Sequence, residues 1–327
     1  MSVDQEDGDF LAAVERRVEL ALRDDAPLVA GGPGVLAQAA RHLCLGGGKR
    51  ARPRLVSLLG MAVDAPGGAL LDLAVAAELI HAASLLHDDV VDDGRWRRGQ
   101  PTVNVRWGNS VAVLAGDWLL TRSFAMLRDY PRAITSEAID VVAAMARSAM
   151  LEIEARGRLG VSTTIWEAIA EGKTGMLFGW CGSAPALLMS SDDAARRFGQ
   201  FGRRLGIAFQ LADDLKDLFG GEPGKDRFSD IRNGNPSFPI IVAAATSTRI
   251  NKLLSEAWSQ PPVSETAAAE IGNEILASGA ADSAVDRLGQ EIELTIESLG
   301  PYRHQPVGKA MLALARSFAG SFAGSLV

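Results

Sequence analysis

From Leu70 to Val91 apolar residues return at the spacing of a helix, and four carboxylates crowd its end: Asp88, Asp89, Asp92 and Asp93. A segment this apolar must be buried on most sides, yet its acid end must meet water, a cation or a cationic side chain. At about 100° per residue, Asp88 and Asp92 share a helix face and Asp89 flanks them. The pattern returns about 125 residues further along, where apolar Leu205 to Ala212 is followed by Asp213-Asp214-Leu215-Lys216-Asp217. Two apolar helices that each deliver an Asp-Asp-x-x-Asp cluster dictate a helical framework with acids gathered at helix ends.

The rest of the chain agrees. Leu11, Val14, Val18 and Leu22 form one stripe, and Leu71, Val75 and Leu79 another. Val111 to Arg128 suits a buried helix, as does Ile134 to Arg158. Alternating strand patterns are scarce, so the expectation is an all-α fold of about a dozen helices. Breakers fall at Gly31 to Gly34, Gly46 to Gly48, Gly94 to Pro101, Gly220 to Pro239 and Pro261-Pro262. None resembles an interdomain linker, so residues 1–327 are read as one domain with Met1 to Asp9 as a loose acidic end. The tail repeat from Ser317 to Gly324 reads as a frayed last helix.

Net charge is −7, which argues against a nucleic-acid partner. Cys44 and Cys181 lie too far apart for a metal-ligand spacing, and two cysteines form no disulfide framework. No basic and apolar leader opens the sequence, and the longest apolar run contains Asp72, Glu78, Asp88 and Asp89. The expectation is a cytoplasmic protein without a transmembrane segment.

Clustered like charges destabilise a bare helix, so a bound cation is a reason to cluster them. Oxygen-only ligands suit Mg²⁺, which bridges one or two carboxylates to a phosphate. The competing reading is a solvated acidic helix end. A calcium loop centred on Gly94 fails, because Val91 and Gln100 would occupy ligand positions. Lys49-Arg50-Ala51-Arg52-Pro53-Arg54 follows three glycines and offers cations to an anion, without the Gly-Lys-Ser/Thr of a nucleotide loop. Arg95, Arg97 and Arg98 follow the first acid cluster at once, as anion contacts or as surface ion pairs. Lys173-Thr174 and Lys225 carry little signal alone. Together these residues suggest two anion sites, one metal-assisted and one purely cationic, opening on an apolar interior. Joining two organic diphosphates with apolar tails would require that arrangement.

The sequence resembles the trans-isoprenyl diphosphate synthase (polyprenyl synthetase) family from about Leu43 to Pro239. The resemblance is carried by Gly47-Gly48-Lys49-Arg50-Ala51-Arg52-Pro53, Glu78-Leu79-Ile80-His81, Leu86 to Asp93, and Arg97-Arg98-Gly99-Gln100-Pro101-Thr102. It continues through Gly116-Asp117, Lys173-Thr174-Gly175, Phe209 to Asp214 and Gly224-Lys225. It implies a single all-α domain, a bundle of long helices around a deep cavity, acting as a homodimer. Asp88, Asp89 and Asp92, with Asp213, Asp214 and Asp217, would bind Mg²⁺, three ions when substrate is bound. Arg97, Lys173 and Lys225 would hold an allylic prenyl diphosphate, and Lys49, Arg52, His81 and Arg98 isopentenyl diphosphate. Thr174 and Gln210 resemble the family's oxygen dipoles beside a developing carbocation. The leaving diphosphate is the implied base, which leaves His87 as helix filler.

The chain departs from the family pattern in four places. Phe228 stands where a glycine is usual, Asn235 where a lysine is usual, and Ser237 where a threonine is usual. Asn235 removes a cation from the allylic site, for which Arg227 or Arg232 are candidate replacements. Lys216 stands where an apolar residue is common. Ala83 and Ser84 lie one turn before Asp88, where short-chain members typically carry an aromatic blocker. One helical pitch, about 5.4 Å, is close to one isoprene unit. The small pair therefore points to a product of C30 or longer, unless Phe124, Met126 or Trp180 closes the path. Close helix packing is the alternative reason for the small pair.

Overall fold

The computed structural model describes residues 3–23, 34–48, 50–220 and 227–318, with side chains from Gly8 onward. The expectations for Lys49, for Lys225 and for the tail from Ala319 lie outside the described residues. The fold is all-α, as the apolar periodicity dictates. In chain order the first helices are α1 (Val3–Ala21), α2 (Val35–Cys44), α3 (Ala51–Met61) and α4 (Gly67–Val91). A short hairpin follows, β1 (Trp96–Arg97) and β2 (Gln100–Pro101). Then come α5 (Val103–Trp107), α6 (Asn109–Leu127), α7 (Arg132–Ala155) and α8 (Thr163–Ala170). A π-helical turn, Glu171–Gly175, leads into α9 (Met176–Leu188) and the 28-residue α10 (Asp192–Phe219). The remainder is α11 (Ser229–Asn233), α12 (Phe238–Thr246), α13 (Thr248–Ser259), α14 (Glu265–Ala277), α15 (Ala280–Ser298), a 3₁₀ turn (Gly300–His304) and α16 (Pro306–Phe318). Among the described residues the sixteen α-helices exceed the dozen expected, because short helices fill the polar breaks. α1 begins inside the stretch read as a loose end.

Contacts divide the chain into two compact units. The first comprises Met1–Val142 with Trp180–Gly199, the second Ala143–Gly179 with Gln200–Val327.

In the first unit α4 is the central element and packs mainly on α6, with α3 and α1 also against it. Leu73 to Ala77 and Leu79 have no exposed surface. Each large apolar side chain buried this way stabilises the fold by roughly 1.5–3 kcal/mol. Burial of nearly the whole circumference explains why the sequence holds its charges back to the ends of α4, with Glu78 the buried exception. α6 differs from the buried helix that its composition predicted. Only 33% of its apolar window is buried, and Val113 and Leu114 are exposed. α4 and α6 are long and apolar enough to cross a membrane by composition alone, and α4's window is 67% buried within the protein.

In the second unit α10, α12, α15 and Trp166 share one apolar core, and α11 to α14 surround another. Glu291 on α15 is fully buried and holds both Arg204 (3.1 Å) and Arg287 (2.6 Å). That pair of guanidiniums compensates a charge that could not otherwise be buried.

Candidate active site

The glycines before α3 shape the cationic side of the first unit. Gly47 and Gly48 take positive φ, and a Cβ on Gly48 would stand 2.9 Å from Arg98 Nη2. The loop therefore needs glycine to let the Arg98 guanidinium lie on its backbone, where Nη1 donates to the Gly47 carbonyl. Arg98 and Gly99 both have positive φ and form the two-residue turn between β1 and β2, the geometry that such hairpins favour. This hairpin is what aims Arg97 and Arg98. Arg50, buried at the start of α3, is committed elsewhere: it pairs with Glu78 of α4 and donates to the Cys44 carbonyl at 2.9 Å.

His81 lies half-buried one turn beyond Glu78. Burial, and then the positive charges of Arg52, Arg98, Arg97 and Arg50, hold its pKa well below the ordinary value. It is neutral at pH 7. Burial also lowers Arg52 and Arg98, with Glu78 opposing the shift at both, and arginine remains charged regardless. The structure thus brings Arg97, which the resemblance assigns to the allylic diphosphate, close to His81 together with Arg52 and Arg98. Both cysteines lie in this unit, and burial pushes each thiol up to about 12, so neither is a nucleophile.

The first acid cluster ends α4. Asp88 is half-buried, Asp92 is exposed at the C-cap, and Asp89 is buried. Asp89 is not placed like its neighbours. Arg97 grips it from Nε (3.0 Å) and Nη2 (2.7 Å). Its backbone carbonyl accepts from Gly94 N (2.9 Å) and Asn104 Nδ2 (3.1 Å). Arg97 therefore anchors Asp89 and braces the turn after α4. His87 packs over Gly116 and approaches the Val113 carbonyl at 3.2 Å, a helix-packing role.

Ala83 is buried and Ser84 half-buried, the Ser84 hydroxyl donating to the His81 carbonyl at 2.8 Å. Trp180 is buried with its indole N–H tied to the Ile134 carbonyl at 2.9 Å, whereas Phe124 and Met126 are half-buried.

In the second unit α10 approaches the π-helical turn at backbone contact. A Cβ on Gly206 would come within 2.8 Å of Gly175 N, and one on Gly175 within 2.9 Å of the Arg203 carbonyl. Only glycine permits this approach. π-turns occur often at functional sites, and this one presents Lys173 and Thr174. The close approach brings Thr174 Oγ1 to 3.4 Å from Gln210 Oε1, and Gln210 Nε2 donates to Asp214 Oδ1 at 3.0 Å. Lys173 pairs with Glu152 of α7 at 2.5 Å.

Asp214 is buried and works as a tie. Its Oδ2 accepts from the Trp166 indole N–H (2.8 Å) and from Phe238 N at the start of α12 (2.9 Å). Burial pushes its pKa up to about 7, against three hydrogen bonds that pull it down. Asp217, also buried, accepts from Ser229 N (3.0 Å), the Ser229 hydroxyl and Asp230 N (3.2 Å), which caps α11. Asp213 is half-buried. Asp230 belongs to the same group: burial and the charges of Asp217, Asp214 and Asp213 raise its pKa well above the carboxylate range.

Sequence spacing did not find Asp230, Glu152 or Glu78. Asp230 lies inside the polar break from Gly220 to Pro239, 13 residues after Asp217, and only the fold returns it there. Among the described residues, no three His, Cys, Asp or Glu side chains form a ready metal cage. The donors do fit a hard cation. Asp88 and Asp92 are carboxylates one turn apart, and Mg²⁺ completes its shell with water and phosphate oxygen.

The departures from the family pattern also have places. Phe228 has φ 62°, a left-handed conformation that favours glycine, and its ring is buried against Gly272. The conformational cost, about 1–2 kcal/mol, is offset by ring burial of similar or larger size. Arg227 stacks on that ring at 4.5 Å and donates to the Leu218 carbonyl, and Arg232 pairs with Glu265 at 3.6 Å.

Comparison with known proteins agrees with this geometry. The polyprenyl synthetase family model matches residues 33–275. Geranylgeranyl diphosphate synthase of Saccharolobus solfataricus is 28% identical over 294 residues, 86% of this chain and 89% of that protein. Heptaprenyl diphosphate synthase component 2 of Geobacillus stearothermophilus is 33% identical over 265 residues, 80% of each chain. The crystal structure of polyprenyl synthase from Caulobacter crescentus, complexed with calcium and isoprenyl diphosphate, matches with a TM-score of 0.89 at 28% identity over 97% of both chains. With the family model spanning most of its length, the chain belongs to the polyprenyl synthetase family of prenyltransferases.

Proposed function

We propose that the chain adds isopentenyl diphosphate repeatedly to an allylic prenyl diphosphate, with Mg²⁺, to make an all-trans polyprenyl diphosphate of C30 or longer. The observation that carries this reading is the gathering of Arg52, Arg97 and Arg98 around His81. Such a site takes a diphosphate without metal, as the unactivated substrate requires. Lys49, Arg52 and Arg98 supply charge there, and His81 supplies a neutral hydrogen-bonding ring.

The allylic diphosphate falls to Arg97, Lys173 and Lys225. Mg²⁺ would be held by Asp88 and Asp92 of the first cluster and by Asp213 of the second, with Asp89, Asp214 and Asp217 orienting them. When bound, the metal supplies positive charge to the oxygens of the departing diphosphate. The allylic C–O bond breaks with its electron pair going to that diphosphate. The isopentenyl double bond attacks the resulting cation, forming the new C–C bond. A proton then leaves to a diphosphate oxygen and the new double bond closes. Thr174 and Gln210 present neutral oxygen dipoles to the developing cation. Lys173, exchanging Glu152 for phosphate oxygen, stabilises the leaving group.

Small Ala83 and Ser84 leave room for a growing tail along α4. The exposed apolar residues Val113 and Leu114 of α6 support a homodimer in which a second copy covers them. Similarity to a geranylgeranyl diphosphate synthase favours the rival reading, a C20 product. The test is to incubate the purified chain with Mg²⁺, isopentenyl diphosphate and geranyl, farnesyl or geranylgeranyl diphosphate, and to size the dephosphorylated products by mass. A ladder reaching C30, cut to C20 or less by Ala83→Phe, supports the long-chain reading. A wild-type stop at C20 sinks it.

A further inference from the structure

A single carboxylate joins the two helices that lead to Thr174 and Gln210. Glu291 of α15 has no exposed surface, and each of its oxygens takes one arginine. Oε1 accepts from Arg204 Nη1 of α10 at 3.1 Å, and Oε2 from Arg287 Nη1, one turn back on α15, at 2.6 Å. Arg287 extends the link, its Nη2 lying 3.5 Å from Glu167 Oε1 of α8. α8 runs without a break into the π-helical turn that presents Lys173 and Thr174. Arg204 stands two residues before Gly206, where α10 meets Gly175 backbone to backbone. Further along α10, beyond Gln210, Asp214 accepts from the Trp166 indole of α8 at 2.8 Å. Two ties between α8 and α10 thus bracket Gln210 along α10, and Glu291 is the centre of one of them.

We infer that Glu291 is a positioning residue for the condensation. Through Arg204 and Arg287 it sets the register of α10 against the π-helical turn, and so the pairing of Thr174 with Gln210. Burial is the first reason. A buried ion group stabilises a fold no better than apolar side chains of similar volume, and its best-attested use is to fix one register among several. Leu288 and Ile292, on either side of Glu291 in sequence, share a core with Ala170 of α8 and with Ile207 and Ala208 of α10. An apolar residue at 291 would extend that core, yet the chain places a charge there and supplies it with two guanidiniums. The glycine crossing is the second reason. Where bare backbones touch, no ridge of side chains sits in a groove to stop one element sliding along the other. The Arg204–Glu291 pair fixes that coordinate, and a slip of about 1 Å is enough to cost about a hundred-fold in rate.

The inference rests on the proposed condensation and on Thr174 facing its cation, and the experiment separates them. The variants are Glu291→Gln, Arg204→Gln, Thr174→Val and the doubles Glu291→Gln/Thr174→Val and Arg204→Gln/Thr174→Val, made in the full chain. Steady-state rates with Mg²⁺, farnesyl diphosphate and isopentenyl diphosphate are measured well below the Tm of every variant. Glu291→Gln keeps the volume and removes the charge. It should lower kcat about ten-fold or more, with the KM for isopentenyl diphosphate within about two-fold of wild type. On the Thr174→Val background the same change should lower kcat no more than about two-fold, because the dipole that it misplaces is already gone. Equal falls on both backgrounds, or a kcat for Glu291→Gln within about two-fold of wild type, would make Glu291 a structural tie and overturn the inference. Should Glu291→Gln fail to fold, Arg204→Gln decides by the same cycle, since Arg287 still partners the carboxylate. A loss that vanishes on the Thr174→Val background supports the inference, and an additive loss or none overturns it. Thr174→Val with the wild-type kcat overturns the reading of Thr174, and a wild type that makes no product overturns the condensation. Either result takes the inference down with it.

Discussion

The two units gather charge of opposite sign around their polar centres. In the first, burial and then the surrounding arginines drive a histidine's pKa down. In the second, carboxylates crowd one another, and burial drives Asp214 to about 7 and Asp230 well above its ordinary range. A site of the first kind attracts an anion directly. One of the second kind repels an anion until a cation intervenes. The acid clusters share one spacing and differ just as much. Asp88 and Asp92 stand at a helix end with Asp89 clamped by Arg97, whereas Asp214 and Asp217 lie inside the protein as acceptors for N–H groups. An Asp-Asp-x-x-Asp spacing therefore fixes a helix face without fixing the work done by each carboxylate.

Exchanging the clusters in mutagenesis gives the sharpest contrast. Asp214→Ala strips the acceptor from Trp166, Phe238 and Gln210 and should cost about 2–4 kcal/mol of stability, read by urea unfolding. Asp88→Asn should change stability by no more than about 0.5 kcal/mol while lowering kcat/KM about a hundred-fold or more. Equal stability losses in the two variants would erase the distinction between tie and ligand. Gly206→Ala comes next. A methyl pressed on Gly175 should cost about 1–3 kcal/mol and separate Gln210 from Thr174, lowering kcat more than it raises either KM. The Tm and the steady-state constants together check this. The smallest effect concerns His81. Its folded pKa lies below the unfolded value of 6.5, so the unfolded chain binds the extra proton in acid. Its contribution to stability is complete above pH 6.5 and is lost as pH falls toward the folded pKa, at most about 1.4 kcal/mol per pH unit. His81→Gln should flatten that part of the stability–pH curve, and an unchanged slope would show that burial and the arginines do not depress its pKa.

Much of this was legible beforehand. Apolar spacing showed the helices, and the ordered motifs showed the family, because both are written in neighbouring residues. The hairpin that aims Arg97 and Arg98 escaped notice, being only two residues on each side of its turn. Burial of Asp214 and Asp217 also escaped notice, since their partners Trp166, Phe238, Ser229 and Asp230 come from distant helices. α6 looked like a buried helix because composition reports apolarity and not what covers it.

The most direct test of the central claim is stoichiometric. Wild-type protein is given Mg²⁺, farnesyl diphosphate and labelled isopentenyl diphosphate, and released diphosphate is counted against five-carbon units incorporated. Condensation predicts one diphosphate per unit added, through every length of product. Diphosphate released without incorporation, as a cyclase or a hydrolase would give, contradicts it.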